Sequence, residues 1–186
     1  MSRPAAPRRL DPDRSMLLLI DWQERLFPAM PEGLREATLE RVRTLRWLAA
    51  ELGVPTLFTE QYPRGLGHTL PALEPAGAVE KTSFSVMGEP AFAAVLAAHP
   101  DRDQLVLTGM ETHICVAQSA ADLLQSGRAV TLVADGVLSR RKLDWRLGVE
   151  RVRDAGASIS TQEGVAFEWL GRAGSPAFKE LSRRIR

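Results

Sequence analysis

Residues 105–121, LVLTGMETHICVAQSAA, contain the only cysteine of the chain, Cys115. The run 105–107 is apolar and reads as a strand, and Thr108-Gly109 breaks it. From about Thr112 the pattern changes: Val116, Ala120, Leu123 and Leu124 recur at helical spacing. A strand, a tight turn and a helix make the unit from which parallel α/β sheets are built. The same reading puts Cys115 in the first turn of a helix. Backbone N–H groups there lack intrahelical partners, and with the helix dipole they favour a thiolate over a thiol. Cys115 is therefore expected to be reactive; the alternative is a buried, inert thiol.

The unit repeats on either side. Residues 16–20 are continuously apolar, as in a strand buried on both faces, and end at Asp21. A loop with Trp22, Gln23, Phe27 and Pro28 follows. A helix is expected over 33–52, with Val42, Leu45, Leu48, Ala49 and Leu52 on one face and Gly53 ending it. Further strands are expected at 55–59, 78–80, 104–108, 129–134 and 157–160, the one at 129–134 closing at Asp135-Gly136. Residues 60–71, with Pro63, Gly65, Gly67 and Pro71, read as a loop. Helices are expected at 90–98, from 112 to 127, and at 143–155. Ser160 and Glu163 suggest a capping box for another through Leu170, and Ser175-Pro176 starts a last one. Arg140, Arg141 and Lys142 read as a solvated face. Such alternation predicts an α/β fold: a Rossmann-like three-layer αβα sandwich with a mostly parallel sheet. Residues 15–186 form one domain without internal repeats. Residues 1–14, rich in Pro and Arg, are expected to be a flexible N-terminal arm or an edge wrap.

Composition narrows the function. The 186 residues are 45% hydrophobic and 25% charged, an ordinary globular balance. A net charge of +1 lacks the basic excess of a nucleic-acid binder. No apolar run approaches the roughly 20 residues of a membrane span, and 16–20 is too short for a signal h-region. One cysteine excludes an internal disulfide and suits a reducing compartment. The expectation is a soluble, cytoplasmic protein that takes a small-molecule substrate and neither nucleic acid nor membrane.

In open parallel sheets the ligand crevice lies at the carboxyl ends of the strands. Asp21 follows the first strand, Lys81 follows a short one, and Cys115 lies beyond another. A cysteine nucleophile needs a proton acceptor, a group that favours charge, and donors for an oxyanion. Asp21, if shielded from water, suits the first task and Lys81 the second. Backbone N–H groups at the helix start, that of Cys115 among them, suit the third. Trp22, Gln23, Phe27, Tyr62 and Phe84 are candidates to wall a small pocket, and His113 to contact substrate.

These residues fall in LLLIDWQ (17–23), VEKTSFS (79–85) and GMETHICV (109–116). Together they resemble the isochorismatase-like (cysteine hydrolase) superfamily, over nearly all the chain after residue 14. TEQYPRGLGHTLP (59–71) and the tail STQEGVAFEWLGRAGSPAFKEL (160–181) are most similar to the isochorismatase-domain-containing hydrolases, mostly of undefined substrate. The resemblance implies a catalytic triad of Asp21, Lys81 and Cys115. It implies a cis peptide at Met110-Glu111 that aims the Glu111 N–H, with that of Cys115, into an oxyanion hole. It also implies homo-oligomers, dimers or larger. Nicotinamidases of the superfamily carry an Asp-x-His-x-x-His metal site after the second strand. Here Glu60, Gln61 and Tyr62 stand there, and His68 has no second histidine at ligand spacing, so no metal or other cofactor is expected. Arg25 replaces an aspartate usual in nicotinamidases, and isochorismatases proper lack the cysteine, so neither reaction is implied. The expected activity is metal-independent hydrolysis of a small amide or related C–N bond through a Cys115 thioester. The rival is a non-catalytic interaction or scaffold protein, or a redox sensor, on the same fold.

Overall fold

The computed structural model describes residues 9–185. Six strands form one sheet: β1 (Ser15–Ile20), β2 (Thr56–Gln61), β3 (Val79–Lys81), β4 (Gln104–Met110), β5 (Ala129–Leu138) and β6 (Ser158–Ser160). Their order is β3-β2-β1-β4-β5-β6, and every pairing is parallel. All six residues of β1 are buried, as the unbroken apolar run requires. Its side chains alternate between two cores. Leu17 and Leu19 meet helices α1 (Glu32–Glu51), α6 (Gln162–Leu170) and α7 (Pro176–Arg184) through Leu45, Leu48, Trp169 and Leu181. Met16, Leu18 and Ile20 meet α3 (Pro90–Ala97), α4 (Ala117–Gln125) and α5 (Lys142–Asp154) through Phe92, Ala120, Leu123 and Val152. Helices on both faces of a parallel sheet make the three-layer αβα sandwich. None of the described helices is long and apolar enough to cross a membrane.

Several local expectations change. Gly109 does not end its strand: β4 continues through it to Met110, and β5 continues past Asp135-Gly136 to Leu138 across a register shift. The loop expected at 60–71 begins as the end of β2 and then turns through a short helix, α2 (Pro63–Leu66). Thr161, not Ser160, caps α6, because its Oγ1 accepts the Gly164 N–H at 3.1 Å. Ser175 caps α7 as expected, accepting from the Phe178 N–H.

Of the N-terminal arm, residues 1–8 lie outside the described residues, and 9–14 are a wrap along the sheet rather than a flexible arm. Leu10 is buried and its N–H donates to Glu168. Arg14 pairs with Asp103, and Gln104 bonds the backbone of both Arg9 and Asp11.

Candidate active site

β1 and β4 are sheet neighbours whose crossovers run to opposite sides, so the switch-point crevice opens between their ends. Asp21 leaves β1 in a left-handed conformation (φ 55°). Across the ladder, Gly109 pairs with Ile20 at φ 145°. A Cβ on Gly109 would lie 2.4 Å from the Ile20 carbonyl oxygen, so only glycine lets the two backbones close here. The Met110-Glu111 peptide beyond it is cis. Thr112–Val116 then form a single π turn, in which the Val116 N–H reaches the Glu111 carbonyl at 3.3 Å, and Cys115 lies in this turn. Helix α5 packs directly on it. A Cβ on Gly148 would lie within about 3 Å of the His113 and Thr112 backbone.

Lys81, the last residue of β3, is fully buried, and its Nζ lies 2.8 Å from Asp21 Oδ2. It also donates to Gln61 Oε1 (2.6 Å), the Phe84 carbonyl (3.1 Å) and the Ser83 carbonyl (3.3 Å). Thr59 donates to Asp21 Oδ1 at 2.8 Å. Asp21 Oδ2 has the ammonium beside it but no donor in good hydrogen-bond alignment. Cys115 interacts with both members of the pair. The three residues singled out in the sequence are therefore brought together.

Their charge states correct one expectation. Burial pushes the Cys115 thiol up, the Asp21 charge adds to it, and Lys81 only partly opposes them, leaving the thiol at about 12. The resting group is a thiol, not the thiolate expected from a helix start. Burial also raises Asp21 above the usual carboxylate range, against the pull of Lys81, Thr59 and Cys115. A buried carboxylate of raised basicity with one lone pair open beside a thiol is arranged as a proton acceptor.

The proposed pocket walls fare differently. Trp22 and Phe27 are buried in the core against each other, with Trp22 Nε1 donating to Thr108. Gln23 is buried and spends its amide on the Gln61 and Gly67 backbones. These three support the site and do not line it, because the polar ends of Trp22 and Gln23 are already used within the protein. Tyr62 and Phe84 are exposed, and Phe84 reaches the site through its carbonyl, not its ring. The His113 ring faces Ser139 (Nδ1 to Oγ, 3.1 Å) and Asp144 (4.0 Å) at the start of α5. Arg140 is exposed, as expected of a solvated face, and also holds buried Glu111 by backbone and guanidinium bonds at 3.0–3.1 Å, anchoring the Cys115 turn to the end of β5. Thr59, Gln61, Arg140 and Gly148 escaped the sequence reading. Only Gln61 carried a signal, since β2 and β3 pair in parallel and place it beside Lys81.

Comparison with known proteins agrees with this architecture. The family model of the isochorismatase domain matches residues 15–164. The isochorismatase domain-containing protein 2 of Bos taurus is 40% identical over 187 residues, covering all of this chain and 89% of its own. The structure of MAR1 ribonuclease from Caenorhabditis elegans superposes with a TM-score of 0.86 at 33% identity, covering 96% of this chain and 92% of that one. The YcaC gene product of Escherichia coli, described as an octameric hydrolase of unknown specificity, shares the fold (TM-score 0.89, 24% identity, 97% and 92% covered). The family match runs from β1 through the start of α6 and so takes in both strand ends that form the crevice: this chain belongs to the isochorismatase family of hydrolases.

Proposed function

We propose that this protein is a metal-independent cysteine hydrolase that cleaves a small amide or related C–N bond. The observation that carries the reading is the buried Asp21–Lys81 pair beside the Cys115 thiol at the β1–β4 switch point. With the thiol at about 12, the nucleophile is made during the reaction. Asp21 takes the proton as Sγ attacks the carbonyl carbon, and Lys81 supports the charge that develops. The N–H groups of Glu111 and Cys115 receive the oxyanion. Collapse of the tetrahedral intermediate breaks the C–N bond, and Asp21 returns its proton to the departing amine. Water, deprotonated by Asp21, then attacks the thioester; the acid leaves and the thiol is restored.

Glu60 and Gln61, at the place of the nicotinamidase metal site, are occupied otherwise. Glu60 accepts bonds from Thr69 and His68, and Gln61 holds Lys81. Both facts support chemistry without a metal. We also propose a homo-oligomer, as in octameric YcaC.

The test is turnover of a panel of small carboxamides by Cys115→Ala and Asp21→Asn. Each substitution is expected to remove at least about 10³-fold of the rate, as losing a nucleophile or its base does. Full turnover by both variants would sink the mechanism. An RNA oligonucleotide belongs in the same assay because of the C. elegans ribonuclease. Cleavage of RNA, undiminished in Cys115→Ala, would favour phosphodiester chemistry instead.

A further inference from the structure

We propose that Gln61 is the positioning residue of this site: its amide fixes where the Lys81 ammonium sits, and through it the reactivity of Cys115. Its meaning for turnover rests on the hydrolase reading above. In the β2–β3 ladder Gln61 is the register partner of Lys81, so both side chains leave the same face of the sheet. The contact from Lys81 Nζ to Gln61 Oε1, at 2.6 Å, is shorter than that to Asp21 at 2.8 Å.

The amide is held so that it cannot turn over. Its Nε2 donates to the Thr82 carbonyl at 2.9 Å, where an oxygen would be repelled, so Oε1 must face the ammonium. The main chain of Gln61 is fixed as well. Its N–H donates to Gln23 Oε1 (2.8 Å), and its carbonyl accepts from Gln23 Nε2 (3.1 Å).

An ammonium has three N–H donors and accepts nothing. Gln61 Oε1 and the Ser83 and Phe84 carbonyls accept its hydrogen bonds, and Asp21 Oδ2 lies beside it as the opposite charge. Without Gln61 a buried N–H is left facing nothing, and Nζ must move towards another acceptor. Because Lys81 is what opposes the rise of the Cys115 pKa, any displacement is read at the thiol. A glutamate at position 61 would face the Thr82 carbonyl and compete with Asp21 for the same cation.

The experiment measures the second-order rate of Cys115 alkylation by iodoacetamide between pH 7 and pH 9, with a melting curve, for the wild type, Gln61→Met and Gln61→Glu. All rates rise with pH along parallel lines, since the thiol titrates well above this range. Both variants are expected to lie about tenfold below the wild type, the equivalent of one pKa unit at the thiol. A merely structural role would lower the melting temperature and leave alkylation unchanged, or speed it by exposing the thiol. Wild-type or faster alkylation of Gln61→Met overturns the proposal. If that variant does not fold, Gln61→Glu decides by the same criterion. Alkylation needs no substrate, so this result stands apart from the turnover of Cys115→Ala, which tests the hydrolase reading alone.

Discussion

Two acid–base pairs sit at the carboxyl end of the sheet, and they do opposite things. Asp21 and Lys81 are wholly buried, while Glu60 is buried and its partner His68 is exposed. In both, burial pushes the carboxyl up. For Asp21 burial wins: Lys81, Thr59 and Cys115 together do not offset it. For Glu60 burial loses: the Thr69 N–H, the His68 ring and the Thr69 hydroxyl hold it below the usual range. What separates the two carboxylates is depth first: Asp21 and its cation are wholly buried, whereas Glu60 lies beside an exposed histidine and also takes a backbone N–H. Glu60 is saturated and fastens the segment after α2 to β2. Asp21 keeps a lone pair open beside a thiol.

The largest effect is expected at Lys81. Lys81→Met leaves a buried carboxyl without its cation, which costs about 3–5 kcal/mol when one partner of a buried pair is removed. Urea unfolding is expected to show that loss, and Asp21→Asn added to Lys81→Met to restore much of it. A double variant as unstable as the single one would mean that charge burial is not the cause. The pH dependence has a definite sign. The folded pKa of Asp21 lies above the 3.8 of the free group, so its contribution to stability falls as pH rises through that interval. The defect of Lys81→Met should therefore shrink at acid pH, where a protonated Asp21 needs no cation.

The sheet and the three candidate residues are legible because both rest on short-range pattern. An apolar run such as 16–20 admits little but a doubly buried strand, and strand ends converge in a parallel sheet. Gly109 reads as a strand breaker from sequence because its cause is a neighbour: the Ile20 carbonyl lies distant in sequence and adjacent in space. Trp22 and Gln23 looked like pocket walls for the same reason. Their partners, Thr108 and the Gln61 and Gly67 backbones, are visible only once the strands are paired. The thiolate expectation failed on a balance of magnitudes. A helix start favours charge by about 1 kcal/mol, and burial beside a carboxylate outweighs it.

A smaller effect is expected at Glu60. Glu60→Gln weakens three bonds to a charged acceptor and is expected to cost about 1–3 kcal/mol while leaving Cys115 alkylation unchanged. Its folded pKa lies below the free value of 4.5, so its stabilisation is complete above that value and disappears as pH falls through the folded pKa. The variant and the wild type should converge in acid; a constant gap would point to packing instead.

His68 supplies the smallest and most diagnostic effect. Its ring is exposed, so His68→Ala removes little buried surface. The bond to Glu60, then its charge, raise the His68 pKa above 6.5. The stabilisation is thus fully present below 6.5 and is lost as pH rises through the folded value, the opposite sign from Glu60. Thermal melts of His68→Ala should fall below the wild type at pH 6 and coincide with it at pH 9. Amide exchange at Thr69, whose N–H is held by Glu60 itself, should not respond at either pH. Protection lost there would mean that the histidine, not the carboxylate, fastens this segment, and the contrast with Asp21 would then rest on the wrong donor.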